Sequence, residues 1–75
     1  MVIEKELPIN IDGEILSGTP VFEGTRVPVS ALLDNLEVGV SLDGFLENFP
    51  TVKREQAVRV LEYFKSALND IKQAA

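Results

Sequence analysis

The stretch GVSLDGFLENFPTVKREQAVRVL, Gly39 to Leu61, reads as a stop, a cap, a short helix, a break and the start of a long helix. Gly39 just past Val38 is a helix stop, since glycine accepts the left-handed conformation that closes a helix. Ser41 is a good N-cap, with Asp43 in the first turn behind it. Leu42, Phe45, Leu46 and Phe49 recur at i, i+3, i+4 and i+7, one face of a two-turn helix. Pro50 ends that helix, because the residue before a proline avoids the helical region. Thr51 then caps a third helix, predicted from Val52 to about Lys72.

Upstream, Val29, Leu32, Leu33 and Leu36 repeat the same spacing, so a first helix enters at Pro28 and stops at Gly39. In the third helix Ala57, Leu61, Phe64, Leu68 and Ile71 step by 4, 3, 4 and 3. This seam outlasts what two short helices can cover. Two coverings are open for its far end, Leu61, Phe64, Leu68 and Ile71: another chain, or the chain's own N-terminal ribbon.

Residues 2–29 read as short extended pieces broken by turns. Asp12-Gly13 lies between Ile9-Asn10-Ile11 and Glu14-Ile15-Leu16, and Glu23-Gly24 lies between Pro20-Val21-Phe22 and Thr25-Arg26-Val27. Each pair suits a tight hairpin, because glycine accepts positive φ. Pro20 and Pro28 lack the N–H a central ladder needs, so these strands are edge strands or very short. In GTPVFEGTRVPV, Gly18 to Val29, Gly24, Thr25 and Arg26 form the hairpin turn, and Pro28 hands the chain to the first helix. The stretch lacks the Gly-Lys-Ser/Thr end of a phosphate-binding loop, and an echo occurring once makes no repeat array. Arg26 either pairs with Asp34 or Glu37, which locks the hairpin to the first helix, or reaches toward a nucleic acid. The expected fold is mainly α: one domain over residues 1–75, with a β-hairpin region at 1–28 and three helices at 29–72, the last one long.

A chain of 75 residues buries only about 60% of the surface its unfolded form exposes, so its stability is marginal. Small scaffolds add disulfides, metals or a second subunit. With no cysteine and no histidine, disulfides, thiolate sites and the commonest zinc ligand are excluded, and a partner chain is the staple that remains. No catalytic, metal or cofactor site is expected. Asp43 and Glu47 place two carboxylates on one helix face, but such a pair is far more often a solvated edge than a dyad. The N-terminal MVIEKELPINID has no long apolar run, so neither a signal peptide nor a membrane anchor is read, and the expected location is cytoplasmic.

The net charge of −5 is uneven. Residues 1–50 hold two basic side chains against nine acidic ones, a net of −7, and residues 51–75 hold five against three, a net of +2. An acidic body with a basic end suits a basic partner on one side and a phosphate backbone on the other, although ordinary solubility charge gives the same numbers.

A short helix bracing a capped basic helix across a tight break is how trihelical helix-turn-helix modules read, the third helix entering the major groove. On that reading Thr51, Lys53, Arg54, Gln56 and Arg59 face DNA, the cations on phosphates and Gln56 or an arginine on base edges. At ~100° per residue Arg54, Lys65 and Lys72 share one ridge, while Arg59 lies roughly 140° from Arg54. Glu55 repels phosphate. A solvated helix of mixed charge accounts for the same residues.

Taken together, Gly18, Pro20, Gly24-Thr25-Arg26, Pro28-Val29, Gly39, Ser41, Phe49-Pro50 and Tyr63 make the chain resemble, from about Leu16 to Phe64, the bacterial family known as domain of unknown function 433. The resemblance implies a homeodomain-like helix-turn-helix with an N-terminal β-hairpin. It further implies the antitoxin of a type II toxin–antitoxin pair, which binds a toxin resembling PIN-domain ribonucleases and, as a homodimer, its operator DNA. Glu23 departs from the family's commonly basic residue before Gly24, which argues against the hairpin touching DNA here. A second expectation of the same fold is a protein-only module, whose acidic face covers a basic nuclease without binding DNA.

Overall fold

The computed structural model describes residues 7–74, with side chains through Ile71. The first six residues of the expected hairpin region and the Lys72 side chain of the expected basic ridge lie outside this range. Two strands, β1 (Ile9–Asn10) and β2 (Val21–Phe22), precede three helices, α1 (Val29–Glu37), α2 (Leu42–Asn48) and α3 (Arg54–Ala74). The fold is therefore mainly α with an N-terminal antiparallel hairpin.

The helix boundaries follow the local chemistry. Gly39 takes φ +92° after α1, and the Ser41 hydroxyl accepts a hydrogen bond from the Gly44 N–H at 3.0 Å, capping α2. The start of α3 differs from the expectation. Thr51 is exposed in a turn, and the Lys53 carbonyl receives the first helical N–H bonds, from Gln56 at 3.0 Å and Ala57 at 3.2 Å. The Gln56 side chain reaches back to accept from the Lys53 N–H at 2.9 Å. Half of a capping box, supplied from the third helical position, thus does the work expected of a Thr51 cap.

The hairpin also differs. Asp12-Gly13 does not join two paired strands. Instead β1 pairs with β2 in the register Ile9 to Phe22 and Asn10 to Val21. The intervening chain turns on the Asp12 carboxylate, which accepts from the Glu14 N–H at 2.9 Å. It then passes through Leu16, Ser17 and Gly18 at φ +48°, +55° and +85°, left-handed geometry in which no strand can run. The second turn forms where expected. Gly24 has φ +78°, the Thr25 N–H donates to the Phe22 carbonyl at 3.0 Å, and the Phe22 N–H donates to the Val27 carbonyl at 3.0 Å. Proline at 20 and 28 keeps this pairing to a single bridge, Val21 opposite Pro28.

One core joins all the elements. Phe22, Leu32, Phe45, Ala57 and Val60 are fully buried and pack with Val29 and Val52. The Phe22 and Phe45 rings lie 6.2 Å apart, and Phe45 and Phe49 lie 4.9 Å apart, both within the range of favourable ring pairs. Two strands alone are marginal in water. Here the hairpin is held because Phe22 is a core residue.

Candidate partner-binding and nucleic-acid surfaces

The start of α3 gathers the residues expected to face DNA, but gives several of them other work. The Gln56 amide makes two bonds: its oxygen accepts from Lys53, and its Nε2 donates to the Glu23 carbonyl at 3.0 Å. That second bond ties the hairpin turn to the helix start, so a base edge would have to displace both. Arg54 pairs with the Asp43 carboxylate of α2, and this ion pair also engages one member of the Asp43/Glu47 pair. Both partners are well exposed, so the pair is worth at most about 1 kcal/mol and can open toward a phosphate. Thr51, Lys53 and Arg59 are exposed.

The role of Gln56 gives a measurable expectation. Gln56→Ala leaves the Lys53 N–H and the Glu23 carbonyl to water and should cost about 1 kcal/mol. Thermal denaturation should show it as a fall in Tm of about 4–8 °C for a domain of this size.

Thr25 is committed within the turn. Its hydroxyl donates to the Phe22 carbonyl at 2.8 Å and accepts from the Val27 N–H at 3.0 Å. Arg26 is exposed, and among the described residues it makes no ion pair, so neither Asp34 nor Glu37 holds it as expected. It lines a shallow, mostly apolar hollow with Asn10, Ile15, Phe49 and Thr51, on the side of the hairpin facing the α2–α3 break. Among the described residues no three carboxylates gather as metal ligands do, and no helix is long and apolar enough to cross a membrane.

A second surface lies at the other side of the hairpin. Ile9, Ile11, Pro20, Leu33, Tyr63 and Phe64, from β1, the hairpin, α1 and α3, line an open groove of about 260 Å³. Its walls are almost wholly apolar, with Thr19 and Ser30 among the few polar groups. The seam of α3 runs past it. Ala57 and Val60 are fully buried, Leu61 and Phe64 are half-buried against the core, and Leu68 and Ile71 are 65% and 66% exposed. Neither of the last two is covered by the described part of the hairpin. The periodicity alone marks all of these residues as one stripe. Which of them the body reaches depends on where α1 and the hairpin end, and Ile9 and Ile11 join the groove through the β1–β2 pairing.

The sequence matches the family described as "Protein of unknown function (DUF433)" over residues 9–64, three-quarters of the chain. The chain is also similar to a crystal structure described as a DUF433 member protein from Anabaena variabilis ATCC 29413. The TM-score is 0.70 and the identity 23%, over 92% of this chain and 68% of the other. At that identity the likeness speaks for the shared fold. No curated protein matches the sequence.

Proposed function

The chain belongs to the DUF433 family, and from its own surface we propose that it is an antitoxin-like protein-binding module rather than an enzyme. It acts in the cytoplasm by covering a PIN-like ribonuclease and by associating with a second copy of itself. One observation carries this reading. An apolar groove continues onto two exposed aliphatic residues, Leu68 and Ile71, in a chain with net charge −5. Contiguous apolar surface of this kind marks a protein interface, and an acidic body attracts the basic surface of an RNA-cleaving partner.

Co-expression with the tagged product of the adjoining reading frame tests it. The expected result is a stable complex that suppresses the ribonuclease activity of that product. Ile11→Asp, at the exposed mouth of the groove, should weaken capture tenfold or more, because it sets a charge against an apolar contact. Full nuclease activity in the presence of excess chain, with no co-purification, would discard the reading.

A second reading, operator DNA binding, draws on Thr51, Lys53 and Arg59, all exposed at one end of α3. It calls for strongly salt-dependent binding to the DNA upstream of the gene, with the salt slope lowered by about 1 in Lys53→Ala. The same module then binds protein at one end of α3 and phosphate at the other.

A further inference from the structure

The front of the chain is acidic, with nine carboxylates against two cations over residues 1–50. Yet among the described residues no acidic one lines the hollow beside the α2–α3 break. Asn10, Arg26 and Thr51 are its exposed polar residues, and the half-buried Ile15, Val27 and Phe49 give it apolar walls. Within the described residues the three polar side chains have no hydrogen-bond or ion-pair partner. The hollow is a positive island with unpartnered donors in an otherwise acidic front.

Its parts are held in place. The Ile15 N–H donates to the Asp12 carbonyl at 2.9 Å, and its own carbonyl accepts from the Gly18 N–H at 3.1 Å. Leu16 and Ser17 follow at positive φ. Such a conformation persists where the surroundings over-determine it, and it gathers at ligand sites. Arg26 is carried between Thr25 and Val27, which the Thr25 hydroxyl ties into the turn. Phe49 and Thr51 stand on either side of Pro50.

We propose that this hollow takes the C-terminus of a partner polypeptide. The α-carboxylate lies on Arg26, with Asn10 and Thr51 as further donors, and the apolar last side chain lies against Ile15, Val27 and Phe49. The site is on the opposite side of the hairpin from the apolar groove, so it stands or falls apart from the reading above.

Charge and shape select this occupant. A guanidinium is a planar fork that matches the two oxygens of a carboxylate. At a chain end the carboxylate and the last side chain leave the same Cα, so one residue brings both the anion and the apolar group. A nucleic-acid backbone fits less well. Glu14 and Glu23 are exposed and adjoin Ile15 and Gly24 of the lining. They repel a run of phosphates, whereas they tolerate a single carboxylate and favour basic residues just before it. A free small molecule also fits less well, because small-molecule sites enclose most of their ligand and this hollow is shallow. A chain end adds contacts from the residues behind it.

Fluorescence polarisation on the full chain tests the site, using labelled peptides of serines and lysines that end in leucine, isoleucine or phenylalanine. At least one free-acid peptide should bind saturably. The same peptide with a C-terminal amide should bind about tenfold more weakly or worse, since it loses the charge-assisted bonds. Arg26→Ala should bring the free acid down to the level of the amide and leave the circular dichroism unchanged, because Arg26 is exposed. Arg26→Lys should recover only part of the binding, a point charge replacing the fork. Ile11→Asp, in the groove, should leave peptide binding unchanged. Equal binding of acid and amide overturns the proposal, as does an Arg26→Ala variant that binds like the wild type, or no binding at millimolar peptide. Displacement of the peptide by duplex DNA, with a DNA salt slope lowered in Arg26→Ala, assigns the hollow to phosphate and overturns it as well.

Discussion

Phe45→Ala is expected to remove a large share of the chain's folding stability. Phe45 is fully buried at the meeting point of β2, α2 and α3. Its ring faces Phe22 on one side and Phe49 on the other. Truncating a buried phenylalanine costs about 3–5 kcal/mol, the transfer of the lost atoms plus the cavity they leave. At roughly 0.05–0.15 kcal/mol per residue, a chain of this length has about 4–11 kcal/mol in all. The loss is a large share of the total, and it also removes the contact that holds the hairpin to the helices. Urea denaturation followed by circular dichroism should show a midpoint lowered by more than about 1 M, from about 3–5 kcal/mol at about 1–3 kcal/mol per molar. Phe45→Leu, which keeps most of the volume, should retain a cooperative transition at a lower midpoint. A midpoint for Phe45→Ala within half a molar of the wild type would mean that the ring is not the keystone of this core.

Gly24→Val should be the most costly change at the surface. A Cβ at Gly24 would meet nothing within 4 Å, so a steric account predicts no effect. The backbone predicts otherwise. Gly24 sits at φ +78°, where an ordinary L-residue pays about 1–2 kcal/mol and a β-branched one more. Melting should fall by about 10 °C, from about 2 kcal/mol at about 4–8 °C per kcal/mol. Gly24→Asn should lose much less, because asparagine visits the left-handed region readily. Equal losses for valine and asparagine would mean that the turn is set by the Thr25 hydroxyl bonds rather than by the glycine. The effect should reach beyond stability. The Glu23 carbonyl in this turn accepts from Gln56, so a displaced turn loosens the start of α3.

What was legible in the sequence was local. Gly39, Ser41 and Pro50 mark the ends of α1 and α2 because a positive φ, a hydroxyl cap and a missing N–H act within a few residues. The stripes through Leu32, Phe45 and Ala57 were legible because a helix repeats every 3.6 residues wherever it packs. Two local readings failed for one reason. Thr51 and Asp12-Gly13 have the right chemistry for a cap and a hairpin, but a competitor farther along the chain won each place. Gln56 took the cap. Phe22, needed in the core, drew β2 onto β1 and left the Asp12 turn as an excursion.

The site divides in the same way. The sequence by itself determined that α3 carries cations at its start and an aliphatic seam to its end, since both are properties of one helix and its period. Only the tertiary structure decided which of those residues are available. Arg54 is engaged because α2 brings Asp43 to it, and Gln56 because the hairpin brings Glu23. Leu68 and Ile71 are bare because the body of a 75-residue chain ends before its longest helix does. Availability depends on what lies opposite a side chain, and what lies opposite is set by contacts between residues far apart in the sequence.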